Sequence, residues 1–185
     1  GQSYGRQRTN SRGPQWWQRM AEVLLPYLDE AGQRLLTEEL AHQAALRALD
    51  LPRGVIHGDL FRDNALFQGE RISGVIDFYY ACSDVLLFDL AVAVNDWCVD
   101  ETGALDGERL AAAVDAYGRE RPFLPAEGAA WSTLLRAAAL RFWLSRLHDL
   151  HFPRPGEMTH VKDPDVFRRV LEQQIAQPAR LPSVD

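Results

Sequence analysis

Between residues 55 and 76 the chain carries three short apolar runs, 55–57, 65–67 and 72–76, each of strand length and none long enough for a helix. They constrain the fold more than any other feature, because the segments on both sides read as helices. Gln68-Gly69-Glu70-Arg71, between the last two runs, has the composition of a hairpin turn. His57, Asp59, Asn64 and Asp77 fall between or just after these runs, where loops joining strands can aim polar groups into a cleft.

On the N-terminal side, Pro14 suits a first helical turn. Trp16, Trp17, Met20, Val23 and Leu24 then recur at helical spacing until Pro26 ends or kinks the helix. A second helix is expected from about 33 to 49, with Leu35, Leu36, Leu40, Ala44 and Ala45 on one face, before Pro52 and Gly54 break it. From Leu86 onward, segments near 86–97, 107–120, 126–151 and 163–176 carry spaced apolar residues and end near Gly or Pro. The first of these is almost continuously apolar and should be buried nearly all round. Trp16, Trp17, Trp131 and Trp143 are expected to pack helices together. The fold class is therefore α+β, mainly helical, with a small β-hairpin region in the middle, and 185 residues at 46% apolar content suffice for a real core.

Residues 1–13, rich in Gly, Ser, Arg and Gln, read as a flexible linker or loop, 14–178 as the folded lobe and 179–185 as a tail. Gly1 in place of Met points to a processed or excised segment. The net charge of −6, with no Arg/Lys cluster, argues against nucleic-acid binding. No apolar run is long enough to span a bilayer, and no signal peptide opens the chain. Cys82 and Cys98 form neither a CxxC pair nor a metal-spaced set, so a reducing cytoplasm is the expected setting.

The pattern His-x-Asp, an Asn five residues after that Asp, and a second Asp at the end of the next apolar run suits phosphoryl transfer. Asp59 can orient a substrate hydroxyl and accept its proton late, so an ordinary carboxylate suffices. Asn64 and Asp77 offer hard oxygen ligands that can hold Mg2+ against nucleotide phosphates. His57 can fix the loop by hydrogen bonds to backbone, and Arg62 can serve the γ-phosphate or remain a solvated loop residue. Asp63 reads as a turn cap. The bland alternative is that His, Asp and Asn merely decorate turns between buried strands. His148 and His151 sit at helical spacing without a suitable third ligand, which argues against zinc.

Taken together, His57-Gly58-Asp59-Leu60-Phe61-Arg62-Asp63-Asn64, Ile76-Asp77-Phe78 and Phe88-Asp89-Leu90-Ala91 resemble the catalytic lobe of the aminoglycoside phosphotransferase and choline kinase superfamily. The resemblance covers nearly all the chain beyond the first dozen or so residues. It implies the C-terminal lobe of a protein-kinase-like fold, with the hairpin region carrying the catalytic loop. It also implies Asp59 as catalytic residue, Asp77 as metal ligand with Asn64, Asp89 as a structural brace of the loop, and ATP with Mg2+ as co-substrate and cofactor. A protein kinase is disfavoured, because Phe61 stands at the common Lys position, Tyr79 follows Asp77-Phe78 where Gly is expected, and no Ala-Pro-Glu follows.

Within the superfamily, Val94-Asn95-Asp96-Trp97-Cys98 and Leu140-Arg141-Phe142-Trp143-Leu144-Ser145-Arg146-Leu147 most resemble the bacterial homoserine kinase family, which implies L-homoserine as acceptor. Asn95 and Asp96 end an apolar helix, so Asp96 could pair with the ammonium of an amino acid while Arg141 binds its carboxylate. The alternative is an internal Arg141–Asp96 pair knitting two helices. Arg146 and Asp149 read as an i,i+3 surface pair.

The nucleotide-binding N-terminal lobe of that superfamily, with its phosphate-gripping Lys, has no counterpart here. The isolated chain is accordingly expected to be inactive, and the apolar surface left open could drive a homodimer. Other readings are a kinase for another small alcohol, such as choline, an aminoglycoside or a hydroxylated amino acid, and a non-catalytic helical interaction lobe.

Overall fold

The structure, a computed structural model, describes residues 8–44, 50–153 and 162–181. The expected helical residues 45–49, the first half of the expected linker and the end of the tail lie outside them.

Among the described residues the chain forms six helices and two small sheets: α1 (Pro14–Leu24), α2 (Glu30–Ala44), β1 (Arg53–Ile56), β2 (Ala65–Gln68), β3 (Arg71–Val75), β4 (Cys82–Val85), α3 (Leu86–Trp97), α4 (Gly107–Glu120), α5 (Pro125–His151) and α6 (Asp165–Ala176). The helices α3 and α4 have the bounds that periodicity assigned, and Pro26 closes α1 through a single 3-10 turn, Leu25–Tyr27. Among the described residues no helix is long and apolar enough to cross a membrane.

The spine is α5, whose 27 residues extend about 40 Å. Pro125 opens it, and the Glu127 carboxylate caps it by accepting the Leu124 N–H at 2.9 Å. Its middle is buried on every side, from Trp131 through Leu134 and Ala137–Ala139 to Trp143 and Leu144, and it touches α1, α2, α3 and α6. The alanine run lets neighbouring backbones approach, while Trp131 and Trp143, each at 0% exposure, fill the space around it.

On the expected face of α2, Leu36 is buried, Leu35 and Leu40 pack half-buried against the core and Ala44 is exposed, while the fully buried stripe also takes in Gly32, Glu39 and Gln43. The polar pair is tolerated because Arg136 of α5 donates to Glu39 through Nε at 2.9 Å, and Gln43 Nε2 donates to Glu39 and to the Thr133 carbonyl.

The apolar runs pair as two antiparallel ribbons, β2 with β3 and β1 with β4. Gly69, at φ 62°, makes the left-handed bend of the β2–β3 turn that an L-residue would resist. Strand β4 was not anticipated; its sequence, Cys82-Ser83-Asp84-Val85, shows no apolar alternation. It pairs Ile56 with Cys82 and Arg53 with Val85, so the loop after β1 faces the loop before β4. The second half of the segment expected as a linker or loop packs along β4. Thr9 bridges to Ser83, whose N–H donates to the Arg8 carbonyl at 2.8 Å, and Asn10 Nδ2 donates to Asp84 at 2.7 Å.

Candidate active site

Strand β1 buries Ile56 and delivers the loop 57–64 at its C-terminal end. Gly58 has φ 76°, and a Cβ there would sit 3.2 Å from the Tyr80 carbonyl oxygen, so both the turn and the close approach require glycine. Asp89, in the first turn of α3, accepts the His57 and Gly58 N–H groups on its two oxygens, each at 2.7 Å. Burial pushes the Asp89 carboxyl up, while those two amide donors pull it down. Burial is the larger influence, so the net direction is up.

His57 is 7% exposed. Its Nδ1 accepts the Asp59 N–H at 3.3 Å, and its Nε2–H donates to the Ile76 carbonyl at 2.9 Å. The ring thus ties the 57–64 loop to the segment carrying Asp77, and both its nitrogens are committed to backbone. These are the loop-fixing contacts expected of it, and they leave neither nitrogen free to act on a substrate.

The side chain of Asp59 is 15% exposed, and its Oδ1 lies 3.3 Å from Arg141 Nη1. Burial raises its carboxyl above the usual range, Arg141 opposes that rise, and the Asp77 charge adds to it. Asn64 Nδ2 donates to the Asp59 carbonyl at 2.8 Å, and its Oδ1 accepts no hydrogen bond among the described residues. The ribbon register pairs Ala65 with Val75, and the Ile76 N–H donates to the Asn64 carbonyl at 3.0 Å. Asn64 and Asp77 therefore stand at the same end of one ribbon.

Asp77 has φ 62° and ψ 55°, a left-handed conformation costing a non-glycine residue on the order of 1 kcal/mol. Its exposed carboxylate makes no hydrogen bond or ion pair among the described residues. No three His, Cys, Asp or Glu side chains among the described residues group as a metal cage. Mg2+ needs no such cage, since one or two protein oxygens suffice when phosphates and water complete its octahedron. An exposed carboxylate beside an amide oxygen fits that ion.

The expected acceptor residues are rearranged. Asp96, at the end of α3, accepts the Arg62 N–H at 2.7 Å and its Nε at 3.2 Å, so Arg62 and Asp96 hold one another beside the loop. The Arg141–Asp96 pair does not form, because Arg141 faces Asp59. Asn95, the polar neighbour of Asp96 and with it a candidate for substrate binding, does not reach the cleft. It is 1% exposed, donates to the Leu135 carbonyl at 2.7 Å and accepts from Gln174, so it joins α3 to α5 and α6 and presents nothing to the cleft. Asp63 pairs with Lys162 at 2.8 Å instead of capping a turn.

Arg146 does not pair with Asp149. Its Nη1 donates to the Asp163 carbonyl at 3.0 Å, and its guanidinium lies 4.5 Å from the Phe167 ring centroid. Burial pulls this guanidinium below the usual arginine value, while Asp96, Asp163, Asp59 and Asp63 hold it up. Arg146 lies near the loop, among the charges of Asp59, Asp63 and Asp96, where sequence reasoning expected a surface pair. The available signal was its place one turn after Phe142, on the face where Phe142 packs against Phe61 and Phe167. Phe61 is a buried anchor of the loop, which accounts for an aromatic residue beside Arg62.

A profile of the phosphotransferase enzyme family matches residues 4–123. Among similar proteins, a homoserine kinase of Methylobacillus flagellatus is 51% identical over 176 residues, covering 95% of this chain and 55% of the relative. A homoserine kinase of a Janthinobacterium species is 51% identical over 173 residues, covering 91% and 54%. One of Cupriavidus metallidurans is 47% identical over 192 residues, covering 98% and 58%. The chain thus spans a little over half the length of these relatives. With its braced His57-Gly58-Asp59 loop and the ribbon that sets Asn64 beside Asp77, this chain belongs to the phosphotransferase enzyme family.

Proposed function

We propose that the complete protein containing this chain transfers the γ-phosphoryl group of ATP to the hydroxyl of L-homoserine, and that this chain is its catalytic lobe. The observation that carries the reading is the loop geometry. Asp89 and His57 fix the backbone on both sides of Asp59, and the ribbon register sets two metal-suited oxygens next to it. The names of the similar proteins support homoserine as the acceptor.

Asp59 Oδ2 receives the hydroxyl hydrogen bond and takes the proton as the oxygen–phosphorus bond forms. Asn64 Oδ1 and the Asp77 carboxylate would hold Mg2+, which when bound offsets phosphate charge and orients the transferring group. Arg62 stands beside the loop with an exposed side chain and can reach the γ-phosphate by exchanging Asp96 for it. That exchange frees Asp96 for the ammonium of the acceptor, and we assign its carboxylate to Arg146, a half-buried guanidinium one turn along α5 from Phe142.

The apolar residues Leu66, Phe67, Ile72, Val75, Ile76, Phe78 and Tyr79 are exposed on and just after the ribbon that carries the metal ligands. A face bordering the phosphate position has to be closed against water for electrostatic catalysis to operate. Its occupant is therefore the remainder of the complete protein rather than a second copy, and the isolated 185-residue chain is inactive.

The test is ATP-dependent ADP release by the complete protein with Mg2+ across L-homoserine, choline, L-serine, hydroxylysine and an aminoglycoside, with the isolated chain alongside. A strong preference for L-homoserine and silence of the isolated chain are expected. Preference for another alcohol would discard the acceptor assignment, and turnover by the isolated chain would discard the need for the closing surface.

A further inference from the structure

We propose that Arg141 is a positioning residue for the catalytic base and not a handle for substrate: it pins Asp59 Oδ1 from inside the lobe and leaves Oδ2 to the acceptor hydroxyl. The inference rests on the reading of Asp59 as that base.

Three observations carry it. Arg141 is 4% exposed, on a stretch of α5 whose neighbours Leu140, Phe142, Trp143 and Leu144 are all buried. Its guanidinium carbon lies 3.7 Å from the Phe142 ring centroid and 4.8 Å from that of Tyr80, so its plane is flanked by aromatic surface rather than open to the cleft. Its Nη1 reaches Asp59 Oδ1 at 3.3 Å across 82 positions of sequence, and Asp59 is its one ion-pair partner among the described residues.

A substrate carboxylate reaching this guanidinium would have to share it with Asp59, the group the reaction needs beside the hydroxyl. Binding and catalysis would then draw on the same buried charge. As a clamp, by contrast, Arg141 works with the other restraints on Asp59. Asn64 holds the residue's carbonyl, His57 holds its N–H, and Arg141 holds one carboxylate oxygen. Side-chain rotation is then fixed, and a single oxygen remains for the acceptor, as near-attack geometry requires. Tyr80 belongs to the same device, because its ring lies against the guanidinium and its carbonyl packs over Gly58.

A double-mutant cycle on the complete protein tests this, with kcat and acceptor KM measured for wild type, R141Q, R141K, D59N and the D59N/R141Q pair. Acting through Asp59, R141Q lowers kcat about tenfold or more and leaves the acceptor KM within about twofold. R141K retains part of the lost kcat, and adding R141Q to D59N removes nothing further. The proposal is overturned if R141Q raises the acceptor KM with kcat unchanged, or if its loss multiplies in full onto that of D59N. Should R141Q fail to fold, Y80L, which removes the aromatic support and leaves the ion pair, takes its place in the same cycle, and an unchanged kcat there overturns the proposal. Wild-type activity in D59N would instead sink the base assignment itself, a separate outcome.

Discussion

At the residue scale, the proposed chemistry rests on how Asp59 is restrained. A carboxylate that must accept a proton late in transfer gains little from a high basicity and much from a fixed direction. Here burial and the neighbouring Asp77 charge raise its carboxyl, and Arg141 works against them. The sign of the consequence follows. The base acts only when ionised, so kcat falls as pH drops through its raised value. The acid limb of the kcat profile of the complete protein is therefore expected above the ordinary aspartate range near pH 4. A limb at or below that range would show that burial does not govern this group. Asp59, Asn64 and Asp77 are legible in the amino-acid sequence, because their spacing around strand-like runs is informative in itself. Their partners are not. Which arginine faces Asp59 depends on the rotational phase of α5, and a helix buried all round carries no polar face from which that phase can be read.

At the element scale, strong periodicity was a faithful guide, and the misreadings follow a physical pattern. Helices α3 and α4 have clear apolar spacing and clear stops, and they form where expected. Strand β4 escaped notice because it exists through its pairing with β1, across a long stretch of intervening chain. Likewise, Glu39 and Gln43 occupy a buried stripe of α2 only because α5 supplies Arg136 and the Thr133 carbonyl. The same limit applies to Asn95, whose polar character near a helix end suggested a ligand contact but whose amide joins three helices. Replacing it with alanine should leave the buried Leu135 carbonyl without that donor and destabilise the protein by about 1–3 kcal/mol. Denaturant unfolding would measure this, alongside the acceptor KM, which is expected to hold. A raised KM at unchanged stability would return Asn95 to the substrate site.

At the scale of the whole molecule, the described residues form a helical body whose reactive face is unevenly finished. The loop from His57 to Asn64 is held by Asp89, by the phenylalanine cluster of Phe61, Phe142 and Phe167, and by Trp97, whose Nε1 donates to the Leu60 carbonyl at 3.3 Å. The ribbon beside it exposes its apolar side chains. A well-held loop next to an uncovered apolar face is what one half of a cleft should look like, which supports the proposal that the chemistry sits in this lobe and the enclosure outside it. The measurement that tests this account most directly is L-homoserine-dependent ADP release by the complete protein and its D59N variant, with both shown to be folded. The account predicts a fall in kcat of about a hundredfold or more in D59N, with little change in the KM for ATP. A D59N enzyme that keeps wild-type turnover would contradict it.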